Sequence, residues 1–151
     1  MTTFTITGDD TLTLAGRVLN DLADADNVSV VFPNNRVESK TGKNENTIFA
    51  RNMTGNNADV TIRVIRGSSD DRFLQGKIAT SDKDFAATVL LDGGFVKRLG
   101  DGQGNVILDT YTMLGGMNMK RIDAKDNSDG DTEQGVAVYN LRFAKVVRSA
   151  Q

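Results

Sequence analysis

Three stretches of the chain hold residue types at spacings that could do chemistry. GDGQGN, Gly100 to Asn105, concentrates glycine as phosphate-cradling loops do. A dinucleotide fingerprint, however, sets its third glycine two residues further on and opens a helix there, and a P-loop closes on Gly-Lys-Ser or Gly-Lys-Thr. Here Val106 to Leu114 continues as a strand pattern, and the Gly-Lys of Thr41-Gly42-Lys43 is followed by Asn44. The run reads as a tight turn whose glycines supply positive φ. DNSDGDTE, Asp126 to Glu133, offers carboxylate oxygens that suit a hard cation. An EF-hand template aligned on Gly130 needs Asp at 125 and Glu at 136, where the chain has Lys125 and Val136. Asp126, Asp129, Asp131 and Glu133 then form a solvated acidic loop with at most a weak calcium contact. The adjacent pairs Asp9-Asp10 and Asp70-Asp71 suggest acid/base work, yet neighbours on a strand face opposite ways and carboxylates at a helix start serve its dipole.

Composition narrows the chemistry further. The chain has no cysteine, histidine or tryptophan. Thiolate and imidazole metal ligands, cysteine nucleophiles, histidine bases and disulfides are thereby excluded. Carboxylate, lysine, serine, threonine and tyrosine remain, and none is poised near neutral pH without strong perturbation. The expectation is a protein that is not an enzyme, with no catalytic residue, no metal and no cofactor. Eighteen Lys plus Arg stand against twenty Asp plus Glu, scattered in both signs, which argues against a nucleic-acid footprint. The basic pairs Lys97-Arg98 and Lys120-Arg121 have acids close by and read as strand ends or salt bridges. MTTFTITGDD does not resemble a secretion signal, and no apolar run approaches the roughly 20 residues of a membrane span. A soluble, single-domain chain spanning 1–151 is the reading.

The elements that must position these residues are mostly strands. In Ala58 to Arg66, Val60, Ile62 and Val64 share one face while Asp59, Thr61 and Arg63 share the other. Ala137, Tyr139, Leu141 and Phe143 repeat the pattern in VAVYNLRFAKVV, a strand long enough to be central. Further strands are expected at Thr3–Thr7 and Thr11–Leu14, joined through Gly8-Asp9-Asp10, and at Val28–Phe32, Thr47–Asn52, Thr88–Leu99, Val106–Leu114 and Met117–Asp123. GSSDDRFLQGKI predicts the one α-helix, about ten residues near the mean length, capped by Ser68 or Ser69, with Asp70 and Asp71 at its positive end and Phe73, Leu74, Lys77 and Ile78 on one side. Pro33 closes a strand, and the polar segment after it predicts a projecting loop or hairpin at about 37–51. Strands with uncharged polar faces, such as Thr110 and Thr112, leave edges that neighbouring subunits must complete.

Four stretches in this order, GRVLNDLADADNVSVVFPN, VESKTGKNENTIFARNMTG, ADVTIRVIRGSSDDRFLQGKI and LGDGQGNVILDTYTMLGG with DNSDGDTEQGVAVYNLRFAKVV, resemble the tail tube proteins of tailed bacteriophages. The likeness is to a small single-domain group from phages and prophages of Gram-negative bacteria and covers most of the chain. It implies a β-sandwich with one short helix, whose inner sheet joins five neighbours in a hexameric ring enclosing a continuous β-barrel. Rings stack into a tube that conducts the genome. The implied localisation is the virion tail, assembled in the host bacterial cytoplasm. Implied partners are copies of itself, the tape-measure protein, the baseplate, the tail terminator and double-stranded DNA passing without specific binding, with no membrane. The compact form without appended domains favours a contractile tail and hence a tail sheath, the alternatives being a non-contractile tube or a related injection-machine tube.

In that family a loop or hairpin reaches the next subunit or ring, which nominates Lys40, Thr41, Gly42, Lys43, Asn44, Glu45 and Asn46 as interface residues. The termini, Met1–Thr7 and Lys145–Gln151, contribute to stacking and nominate Phe4 and Arg148. A DNA conduit is expected to be neutral or mildly acidic, because a basic wall would retard phosphate. The reading from another class is a small β-sandwich binding module for carbohydrate or calcium with its site at Asp123–Glu133, although without tryptophan and with two tyrosines it has few platforms for sugar. A third, a carboxylate hydrolase, lacks a convergent pair.

Overall fold

Strict alternation of burial identifies the centre of the sheet. In the computed structural model, which describes residues 3–151, Ala58, Val60, Ile62 and Val64 of β7 (Ala58–Ile65) are buried while Asp59, Thr61 and Arg63 are half-exposed. The longest strand, β10 (Val136–Ala150), buries Ala137, Tyr139, Leu141 and Phe143 and pairs β7 on one flank and β9 (Val106–Asn118) on the other. Its partners include Ile62 opposite Tyr139 and Tyr111 opposite Arg148. Beyond β9 come β8 (Leu91–Gly100), β2 (Thr11–Leu14) and β3 (Arg17–Val18), and beyond β7 comes β4 (Val28–Val31). Short β1 (Thr5–Ile6) also pairs β8, and every pairing in the sheet is antiparallel. The chain is mainly β with one α-helix, the class the alternation predicts.

One extra residue bends this sheet around its core. Leu91 lies opposite Gly116 but Gly93 lies opposite Met113, so the β8–β9 ladder slips by one residue. Gly115 takes the bulged position at φ 68°, and its N–H donates to Asp92 Oδ1 at 2.8 Å. Met113 and Gly116, three apart, therefore both face inward, as do Phe143 and Val146 of β10 at the same level. A bulge increases bend and twist. Leu12, Phe95 and Met113 from one half thereby join Val60, Ile62, Tyr139 and Phe143 from the other in a single core.

The helix α1 (Ser69–Lys83) inserts Leu74 into that core. Ser68 is its cap, with Oγ accepting from the Asp71 N–H at 3.3 Å. Tyr139 Oη donates to Asp71 Oδ1 at 2.5 Å, tying the helix start to the central strand. Burial first, then the Asp71 carboxylate, drive the Tyr139 phenol far above its ordinary range, so it stays a donor.

Several boundaries differ from expectation for local reasons. The helix runs fifteen residues, continuing past Gly76 until Asp84 turns extended. Asp84 then caps a 3-10 turn at Phe85–Ala87, which delays β8 to Leu91 rather than Thr88. Met117–Asp123 is not a separate strand. Instead β9 continues through Asn118, whose Oδ1 takes the Lys120 N–H at 2.8 Å and ends the run. The segments Thr3–Thr7 and Thr11–Leu14 lie end to end along β8 instead of pairing with each other.

Gly93 marks the tightest approach. A Cβ there would meet the Thr13 carbonyl oxygen of β2 and the Leu14 side chain, whereas at Gly94 it would make ordinary contact with Tyr111. Gly93→Ala should lower stability by about 1–3 kcal/mol, the cost typical of overpacking. Gly94→Ala should change it little, and urea denaturation of the two variants compares them directly.

Candidate functional site

The most exposed structured element is a hairpin set apart from the sheet. Strands β5 (Val37–Thr41) and β6 (Thr47–Arg51) pair only with each other, in register from Val37 opposite Arg51 to Thr41 opposite Thr47. Its tip closes through the Gly42 N–H to the Asn46 carbonyl at 2.8 Å, with Glu45 at φ 67°. Its root is fixed by the Asn52 N–H to the Arg36 carbonyl at 2.9 Å and by Asn34 Nδ2 to Thr54 O and Asn57 Oδ1. Every residue of the two strands except Val37 is exposed, including Ile48 at 69% and Phe49 at 73%. Ile48 lies opposite Lys40 and Phe49 opposite Ser39, so both faces of the arm carry an uncovered apolar side chain. An isolated two-stranded hairpin is marginal in water, which makes these side chains a cost unless something covers them.

The nominated residues Lys40 to Asn46 thus sit together on the distal half of this arm. Phe4 is elsewhere, immediately before β1 and 66% exposed. Met1 and Thr2, part of the nominated N-terminal contact, lie outside the described residues. Arg148 is engaged within the chain: its Nε donates to Asp109 Oδ1 at 2.8 Å and its Nη2 to Oδ2 at 3.2 Å, and Asp109 is buried. That carboxylate raises the Arg148 guanidinium pKa further, first through the hydrogen bond.

Two flanks of the half-sheet β1–β8–β9–β10 are open. The register of β10 with β7 stops at Phe143, so from Val147 onward β10 has β9 on one side and, among the described residues, no strand on the other. On the opposite side β1 pairs β8 alone. The outer face of this half carries Thr11, Thr13, Val96, Thr110, Thr112 and Val147, with Leu108 and Leu114 each over 40% exposed. Its strand charges are Arg98 and Lys145 against Asp92, whose Oδ1 is engaged by the Gly115 N–H.

The sequence's chemical stretches resolve structurally. GDGQGN is the β8–β9 hairpin turn, with Gly102 and Gly104 at φ 79° and 90°. The Asp101 carboxylate already fills it, accepting from Asn105 Nδ2 at 2.7 Å and from the Gln103 and Asn105 N–H groups. The Asn105 side chain, then the Gln103 amide, hold the Asp101 pKa below the usual range. In the acidic loop Lys125 Nζ lies 2.5 Å from Asp131 Oδ2 and lowers its pKa, assisted by the Glu133 N–H. Among the described residues no three carboxylates converge as a metal cage would require.

Lys97 pairs with Asp10, Lys120 with Asp123 and Arg121 with Asp82, so three of the four cations in the basic pairs are taken up by in-chain bridges, and Arg98 is not among them. A cleft of about 210 Å³ lies between α1 and the end of β9, floored by Leu74, Leu91 and Tyr139 and rimmed by Lys77, Lys120 and Arg121. Asn118 Nδ2 in its wall is a buried donor without a partner among the described residues.

Asp70 holds its expected place in the first turn of the helix and has a further role that its neighbours in sequence do not reveal. It is 1% exposed and accepts from Arg17 Nε at 2.9 Å and from the Asn20 and Asp21 N–H groups at 2.6 and 2.8 Å. It therefore pins the chain after β3 to the helix start, a role about 50 residues of separation hid. Burial raises its pKa, but the Asp21, Arg17 and Asn20 hydrogen bonds together outweigh it and leave the net value lowered. A depressed folded pKa means that this stabilisation is present above the unfolded value of about 3.9 and is lost as pH falls through the folded one. Asp70→Asn should cost roughly 3 kcal/mol at pH 7. The gap between variant and parent should shrink below about pH 3.9; a gap independent of pH in denaturation curves between pH 7 and 2 would refute the role.

A scan against protein-family models finds no match for the chain, and a search of curated proteins likewise finds none.

Proposed function

We propose that the protein is a structural subunit that polymerises as stacked hexameric rings into a phage tail tube, the conduit for genome ejection. The observation that carries this is the pair of open flanks on one half-sheet. Strands β1, β8, β9 and β10 alternate in direction, so β10 of one copy meets β1 of the next antiparallel, as every pair inside the sheet does. Such an edge-to-edge contact is heterologous: it closes into a ring or runs on as a filament, and it removes the edges that a lone subunit exposes. In this reading the bent sheet is a sandwich, the half with open flanks is its inner layer, and six inner layers close one barrel.

The outer face of that half then lines the conduit. Threonines and aliphatic side chains dominate it, which suits passage without specific binding. Arg98, Lys145 and Asp92 are its strand charges, so the wall in this reading is sparsely charged. The free arm supplies a second contact, from ring to ring. With that assembly come the proposed partners: sheath, tape-measure protein, baseplate, terminator and DNA, in the virion tail. The calcium or carbohydrate reading has no comparable support, because Asp123 and Asp131 pair with lysines, Glu133 pairs with Arg63, and no three carboxylates of the described residues meet at a common point.

Negative-stain microscopy of the purified protein should show six-fold rings or tubes. Monodisperse globules at high concentration in several salts would sink the proposal. Deleting Lys40–Asn46 should leave a folded β-domain, by circular dichroism, that forms no long tubes, and normal tubes from that variant would remove the arm from elongation. Calcium should leave the melting temperature unchanged.

A further inference from the structure

The arm and the chain's main acidic loops lie at opposite ends of one strand. The arm joins the sheet where Val31 of β4 lies opposite Asp59 near the start of β7. At the other end of β7, Leu22 bridges Val64 and Val136 lies opposite Ile65, and there the loops 20–27 and 123–133 gather. Arg63 draws the two loops together, 2.8 Å from Glu133 and 3.7 Å from Asp24. The eight residues of β7 separate the ends by roughly 24 Å at about 3.4 Å per residue.

Charge is segregated between these ends. The arm and its root carry Arg36, Lys40, Lys43 and Arg51 against Glu38 and Glu45, a positive surplus on a chain of net charge −2. None of the six forms an ion pair within the described residues. The two loops carry eight carboxylates against Lys125 alone, and Asp26, Asp126 and Asp129 are exposed and unpaired among the described residues. Between 123–125 and 133–138 the acidic end also holds a cleft of about 220 Å³ with Ala124, Val136 and Val138 in its lining and with Arg66 and Lys125 facing Asp123 and Glu133 across it. A cavity of about 150 Å³ accepts a benzene-sized group, so this cleft takes one aliphatic side chain.

We propose that the acidic end is the docking site for the arm of a second copy, so that copies join head to tail along the strand direction. Ile48 enters the cleft, and Lys40, its cross-strand neighbour on the same face, meets the acidic rim together with Lys43 from the tip. Charge also discriminates between the two clefts, because the one beside α1 sets Lys77, Lys120 and Arg121 against Asp82 alone and disfavours a basic arm, whereas the other balances Arg66 and Lys125 with Asp123 and Glu133 beneath the unpaired Asp126 and Asp129 of its loop. Basic end on acidic end is a polar, heterologous contact, which permits unlimited stacking and opposes head-to-head pairing of like ends. The inference rests on the tube reading and names the surface that receives the arm.

Charge reversal tests it. K40E/K43E should fold and fail to elongate, and D126K/D129K should do the same, since each then presents like charges at every joint. Mixing the two should restore polymers, because the acidic arm of one fits the basic end of the other. Elongation of the unaltered protein, followed by light scattering, should slow at least about tenfold between about 0.05 and 0.5 M salt, as electrostatically steered association does. Tubes from either reversed variant alone, a mixture that stays unassembled while both parts are folded, or salt-independent elongation would each overturn the docking site and leave the tube reading standing. Failure of the unaltered protein to form rings or tubes at any ionic strength would instead remove the tube reading itself.

Discussion

Every backbone N–H and C=O of a strand requires a partner, and here that requirement is met on both flanks only at the centre of the sheet. β9 and much of β10 have neighbours on both sides. The end of β10, β1, β4 and the hairpin arm do not. This imbalance organises the molecule: a compact core at the bend, and around it elements whose hydrogen bonds and apolar side chains are left for something else. A monomer that stayed alone would bear these edges as an aggregation liability. An assembly that pairs them turns the same groups into its joints.

The bend is what makes the flanks and the arm distinct. Without the extra residue at Gly115, Met113 and Gly116 would face opposite sides, and the two halves could not share a core. Because they do share it, β10 serves two roles along its length. Its first part is sealed between β7 and β9, and its last part runs out as an edge with Arg148 folded back onto Asp109. The Asp70 hub and the Tyr139–Asp71 bond then fix the helix against this frame. Rigidity near the core and exposure at the periphery follow from one distribution of contacts.

The charge pattern has a similar logic. Most cations outside the arm are neutralised in place, as Lys97, Lys120, Arg121, Arg142 and Arg148 show. The arm's charges are not, and exposed ion pairs contribute little to folding in any case. Their physical effect falls on encounter and orientation between molecules.

Much was legible in the sequence because periodicity survives without context. The two-residue alternation in β7 and β10, the Ser68 cap and the glycine turn at 100–105 are local facts, and local sterics and hydrogen bonding produce them. The same locality explains why Gly-rich and Asp-rich stretches could be denied phosphate and EF-hand roles by spacing alone. What only the tertiary structure decided is nonlocal. Which strand β1 joins, where β9 ends, whether Asp70 faces water or Arg17, and that basic and acidic segments lie at opposite ends all depend on residues tens of positions away. A side chain's neighbours across a sheet are set by register, and register is fixed only when the buried face, the bulge and the whole core are satisfied together.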